Sequence, residues 1–191
     1  IVRLIASTPK DVLIVLDGAY VDYVEGWDGG ANFVECHCNV VMLRTLSKMY
    51  GLGGLRVGWG YGPQHLIDVL NRVRGPFNLS APALIAGEAA VQDQNFVTKH
   101  RTQNNVARTW LAAELAALGV SSDTSEANFI LARFDNKGLA EACDEYLQTI
   151  GILVRRVSSY GLPHALRITV PDMVGCARVV AGVKAFLEQV K

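Results

Sequence analysis

Three short apolar runs organise the first part of the chain: Val12-Leu13-Ile14-Val15-Leu16, Val40-Val41-Met42-Leu43-Arg44 and Val57-Gly58-Trp59-Gly60-Tyr61. The first two are continuous rather than alternating, the pattern of parallel strands buried on both faces. The first ends on Asp17-Gly18 and the third is closed by Gly62-Pro63. Helical spacing fills the intervals that follow. One helix is expected over Gln64–Val73, before Gly75-Pro76. Another starts after Ser80, an N-cap residue type, with Pro82 in its first turn. A long helix runs from about Asn95 to Leu118 and stops at Gly119, with Leu111, Leu115 and Leu118 on one stripe.

Beyond that helix the pattern changes. Strands are predicted over Asn128–Phe134, Ile152–Arg156 and Ala165–Val170. Helices are predicted over Lys137–Ile150 and Val174–Val190. The sequence therefore reads as an α/β chain of two parts. Residues 1–95 belong to a larger, mostly parallel α/β/α domain, residues 96–191 form a small α+β domain, and the helix at about 95–118 bridges them.

Composition narrows the function. Half of the 191 residues are hydrophobic, enough for a sizeable core, and 18 basic residues balance 18 acidic ones. No basic stripe with interleaved aromatics marks a nucleic-acid binder. No apolar run reaches the ~18–20 residues that span a bilayer, and the short apolar stretch after Arg3 is not expected to be a secretory leader. Cys36, Cys38, Cys143 and Cys176 fit free thiols of a cytoplasmic protein. Cys36-His37-Cys38 invites a metal reading. On an extended segment, however, the two thiols face opposite ways, and no second ligand pair stands at zinc-like spacing, so no metal is expected.

The chemistry gathers around Lys48. It follows Thr45, Leu46 and Ser47 at the end of an apolar run, and Arg56 comes eight residues later, after a glycine-rich turn. In α/β sheets ligands bind at such strand ends. A lysine that attacks an aldehyde must be neutral near pH 7, which partial burial and positive neighbours promote. A serine and an arginine nearby suit a phosphate. Asp17 closes the upstream strand, with Tyr20 three residues on. A carboxylate there serves as a turn former or as the partner of a protonated ring nitrogen, and a tyrosine can donate to a ring oxygen. Together these are the groups that hold pyridoxal phosphate.

The same residues resemble the fold-type-I pyridoxal-phosphate aminotransferases. Asp17-Gly18-Ala19-Tyr20 is similar to that group's Asp-x-Ala-Tyr segment, and Thr45 through Gly58 to its lysine segment. Within the group the likeness is strongest to the histidinol-phosphate aminotransferases. It is carried by Arg44–Lys48, Asn128–Phe134, Gly151–Arg155 and Leu166–Val170, and it spans nearly the whole chain. The resemblance implies the C-terminal portion of a fold-type-I transferase, acting on L-histidinol phosphate and 2-oxoglutarate as a homodimer. It implies Lys48 as the catalytic amine. Asp17, Tyr20, Thr45, Ser47 and Arg56 would be the further cofactor ligands. Arg167 would fork onto a substrate carboxylate, and Arg155 would hold the phosphate end, with Arg156 as its rival. Asn78 and Asn128 lie near the cofactor in this reading, or are structural.

Gly18 departs from the family, which usually has an acidic residue there. The family's upstream parts are absent as well: a phosphate-binding helix start, an aromatic that stacks on the ring and an asparagine on the ring oxygen. The chain is therefore expected to be a fragment, inactive and poorly stable alone. The rival readings are an aromatic amino-acid aminotransferase, a phosphothreonine decarboxylase, or an inactive piece that only folds or dimerises.

Overall fold

A computed structural model describes residues 1–190. The chain divides into two compact units, Ile1–Thr98 and Lys99–Lys191, each described by itself below.

The first unit begins with a short helix, α1 (Val2–Ser7), and continues through strand β1 (Ile14–Asp17), helix α2 (Ala31–Cys36) and strands β2 (Val40–Thr45) and β3 (Gly58–Tyr61). Helices α3 (Gln64–Val73) and α4 (Ala81–Gln92) follow. The sheet order is β1-β2-β3. β1 lies parallel to β2, with Asp17 opposite Leu43, and β3 returns antiparallel with Gly58 opposite Thr45. Asp28 starts α2 by accepting the backbone N–H groups of Gly30 and Asn32 at 2.9 Å each. Those two bonds hold its carboxyl below the usual range. Ser80 caps α4 through Ala83 N–H, as its residue type suggests.

Two expectations fail here. The run Val12–Leu16 is not buried on both faces: Ile14 is 7% exposed, while Leu13, Val15 and Val12 stand near half exposed. One face of β1 packs into a cluster with Ile5, Val34, Val40 and Met42, and the other leaves Val15 half exposed. Nor is Cys36-His37-Cys38 extended. Cys36 closes α2 and only His37 turns to extended backbone.

The second unit takes in most of helix α5 (Gln94–Ala117), which ends at Gly119. Gly119 has φ +88°, a left-handed conformation that lets Val120 N–H reach back to Leu115 O at 2.9 Å. The unit continues through strands β4 (Ser121–Ser122) and β5 (Phe129–Arg133), helix α6 (Lys137–Thr149), strands β6 (Arg155–Arg156) and β7 (Ala165–Thr169), and helix α7 (Met173–Gln189). The sheet is antiparallel throughout, in the order β4-β5-β7-β6. Alternation along β5 and β7 sends Ile130, Ala132, Leu166 and Ile168 into one core with Leu111, Leu115, Leu147 and Val183 of the helices. β6 is shorter than the expected Ile152–Arg156. Ile152 N–H is taken by Leu147 O at the end of α6, and Leu153 is 83% exposed. No helix among the described residues is long and apolar enough to cross a membrane.

Candidate active site

The loop that leaves β2 is built on two buried anchors. Leu46 and Met49 are only 3% and 4% exposed, so Ser47 and Lys48 between them turn outward. Backbone bonds fix the loop from both sides. Leu46 N–H donates to Val57 O at 3.1 Å, and Leu52 N–H to Leu46 O at 2.9 Å. Gly51, at φ +68°, closes the turn with its N–H on Lys48 O. Gly51 can take this conformation without steric cost.

Within this loop Thr45, Ser47 and Arg56 come together. Thr45 Oγ1 donates to Ser47 Oγ at 2.9 Å and accepts Ser47 N–H at 3.1 Å. Arg56 Nη1 donates to Gly53 O at 2.8 Å and lies 3.5 Å from Ser47 Oγ. Arg56 itself has φ 55° and ψ 42°, a left-handed conformation uncommon for a residue with a side chain. Two hydroxyls and a guanidinium, with no carboxylate bonded to any of them among the described residues, are a donor set for a phosphate.

Lys48 Nζ lies 5.6 Å from the centre of the Tyr20 ring, over its face. Tyr20 follows the turn that Asp17 starts, in which Asp17 Oδ1 accepts Ala19 N–H at 3.0 Å. The structure thus brings Lys48 and Tyr20 together and gathers Thr45, Ser47 and Arg56. Asp17 stands exposed at the end of β1, the strand paired with β2.

Gly18, the departure from the family pattern, has a local cause. A Cβ there would sit 2.7 Å from Leu43 O and 2.9 Å from Arg44 Cδ. Arg44 is the residue that sequence reasoning passed over. Its stem runs beside Gly18, its guanidinium binds Asp22 at 2.5 Å, and it lies 5.5 Å over the Trp59 ring. The signal was one charge ending an otherwise apolar run. Asn78 accepts a bond from Arg74 at 3.1 Å, and Asn128 O accepts Val170 N–H at 2.8 Å. The first is a side-chain contact and the second a backbone bond that any residue at position 128 would make.

The second group lies in the second unit. Arg155 on β6 stands directly opposite Arg167 on β7. Arg167 Cζ is 5.2 Å over the Phe129 ring, and its buried Nε has no hydrogen-bond partner. Arg155 Cζ lies 5.8 Å over Tyr160, whose hydroxyl accepts from Nη2 at 3.3 Å. Arg156, the rival of Arg155, faces the other way. It binds Asp144 of α6 at 2.5 Å, Glu145 at 3.1 Å and Glu141 at 3.8 Å. Among the described residues no cluster of three or more His, Cys, Asp or Glu side chains could hold a metal.

The chain is similar to known proteins over nearly its whole length. A family model described as aminotransferase class I and II matches residues 1–182. The histidinol-phosphate aminotransferase of Ruegeria pomeroyi is 61% identical over 98% of this chain and 52% of its own length. That of Dinoroseobacter shibae is 59% identical over 98% of this chain, again 52% of its own. The chain thus spans about half the length of these relatives. Among solved structures, the Sinorhizobium meliloti histidinol-phosphate aminotransferase in complex with pyridoxal-5'-phosphate superposes with a TM-score of 0.91 at 23% identity, covering 100% of this chain and 53% of the other. This likeness gives the fold, a portion of a fold-type-I transferase. With the family model matched from residue 1 to residue 182, the chain belongs to the class I and II aminotransferases.

Proposed function

We propose that this chain is the lysine-bearing portion of a pyridoxal-phosphate-dependent aminotransferase that exchanges an amino group between L-histidinol phosphate and 2-oxoglutarate. The observation that carries the reading is the loop around Lys48. An exposed amine stands over the Tyr20 ring, in the same loop as a cluster of two hydroxyls and a guanidinium. The names of the relatives at 61% and 59% identity support the choice of substrate.

The donor set fits the cofactor. Thr45, Ser47 and Arg56 hold its phosphate, and Asp17 keeps its ring nitrogen protonated. The Tyr20 hydroxyl donates to the ring oxygen. When bound, the cofactor supplies an electron sink for charge developing at the substrate's Cα. Lys48 would be the amine that holds the cofactor's aldehyde end and the base that carries the proton at the substrate's Cα. Arg167 and Arg155 bind the anionic end of the substrate: a carboxylate of glutamate in one half-reaction, the phosphate of histidinol phosphate in the other. We further propose that the enzyme works in the cytoplasm and that two copies pair as a homodimer.

The test starts with the cofactor alone. Pyridoxal phosphate added to the protein should give a band at the near-visible edge that Lys48→Ala removes. Absence of any band, together with an unchanged melting temperature on adding the cofactor, overturns the cofactor reading. Substrate assays on the protein carrying this chain then decide the reaction. Amino transfer from histidinol phosphate in preference to phenylalanine supports the proposal. Release of carbon dioxide from phosphothreonine replaces it with a decarboxylase.

A further inference from the structure

Like charges placed directly opposite on neighbouring strands destabilise a sheet. Arg155 and Arg167 are so placed, and among the described residues neither is paired with a carboxylate. The other arginines of these strands are treated differently. Arg133, on the same sheet face as Arg167, binds Asp123 at 2.6 Å. Arg156 points to the α6 carboxylates. In place of an anion, each uncompensated guanidinium has an aromatic ring: Phe129 beneath Arg167 and Tyr160 beneath Arg155.

We propose that Phe129 and Tyr160 are positioning residues that seat the two arginines as a ready-made anion site. The inference rests on the reading above that these arginines take the anionic end of the substrate. A ring face attracts a guanidinium electrostatically and fixes its plane, which leaves the edge N–H groups for the ligand. It offsets part of the repulsion between the arginines and occupies only one of their donors, the Arg155 Nη2 that reaches the Tyr160 hydroxyl at 3.3 Å. The buried Arg167 Nε fits this role, because a desolvated donor without an acceptor is held at a cost that an arriving oxygen removes. The backbone that carries Phe129 is itself held. Phe129 O accepts from Ser125 Oγ at 2.7 Å, and α5 secures the preceding turn through Arg108 Nη1 on Glu126 O at 2.9 Å and Asn104 Nδ2 on Ala127 O at 3.2 Å.

Glutarate and inorganic phosphate, titrated at low ionic strength by calorimetry, are the probes. The unsubstituted protein should bind both anions. Phe129→Leu should weaken both by roughly 3- to 30-fold, the range expected for loss of a cation–π contact. Phe129→Tyr should restore the affinity. Tyr160→Leu should weaken binding in the same direction and Tyr160→Phe should not. Tyr160 is 63% exposed, so its variants test the idea without threatening the fold. Nitrogen-15 NMR of the Arg167 Nε–H adds a readout that a purely structural role would not move: the shift induced by saturating glutarate should shrink in Phe129→Leu and return in Phe129→Tyr. Folded Phe129→Leu and Tyr160→Leu proteins that bind glutarate like the parent, with the same glutarate-induced shift at Arg167 Nε–H, overturn the aromatic seats while leaving the substrate reading intact. Failure of the unsubstituted protein to bind either anion overturns the substrate reading and this inference with it.

Discussion

In Lys99–Lys191 one continuous core joins Leu111 and Leu115 on α5, Leu147 on α6 and Val183 and Phe186 on α7 to the inner face of the sheet. In Ile1–Thr98 the buried residues fall into three small clusters, around Met42, Met49 and Leu46. Large apolar side chains there stay open, among them Val15 at 50%, Val73 at 74% and Phe77 at 97%. The unit with the self-sufficient core carries its proposed ligands on paired strands, where register sets them. The unit with the divided core carries Lys48 and its neighbours on a loop, held by two buried anchors and a few backbone bonds. Rigid packing and reactive chemistry are thus assigned to different parts of the chain.

That contrast can be broken most sharply at Lys48. Lys48→Ala should abolish cofactor-dependent absorbance and amino transfer while leaving the melting temperature where it was. A large loss of stability would mean that the amine also helps hold the fold. Next in size are core truncations. Leu111→Ala or Leu147→Ala, both at sites with 0% exposure, should cost about 2–5 kcal/mol in urea unfolding. Val15→Ala, in the first unit, should stay within about 0.5 kcal/mol. Equal costs at the two sites would erase the distinction between the units.

A smaller effect is expected at the Arg156–Asp144 pair. Arg156→Met leaves a buried carboxylate without its main partner and should cost about 1–3 kcal/mol by the same measurement. The smallest effect at neutral pH concerns Cys143. Burial, with Asp144 beside it, pushes this thiol from 9.0 up to about 12. The folded protein keeps the proton where the unfolded chain has lost it. That contribution is therefore complete below pH 9.0 and declines as the pH rises toward about 12. Cys143→Ala should flatten the alkaline limb of the stability profile. Thiol titration offers a parallel check: the exposed Cys36 and Cys38 should react at once, the buried Cys143 and Cys176 only in denaturant.

Much of the fold was legible because periodicity and end signals agreed. The helix expected over Gln64–Val73 matches α3, and the Leu111–Leu115 stripe lies in the core. What failed to show was decided by partners distant in sequence. Val15 reads as core in any local window, and its exposure depends on which faces are covered. Ile152 reads as strand until the end of α6 captures its N–H. At the candidate site, the order of residues revealed Lys48, Ser47 and Arg56, because their chemistry is local. The pairing of Arg155 with Arg167 and the ring beneath each depend on strand register, which no short window contains.

Position 56 carries a side chain where the backbone favours glycine. Its backbone adopts a left-handed conformation that costs a side-chain-bearing residue roughly 1–2 kcal/mol and glycine almost nothing. Folding alone therefore asks for glycine at this position, and only the work of the guanidinium argues against it. In a gene copy freed from selection for cofactor binding, glycine should drift in here early, with the fold intact. The residue at position 56 then becomes a mark by which a retired descendant could be told from a working one.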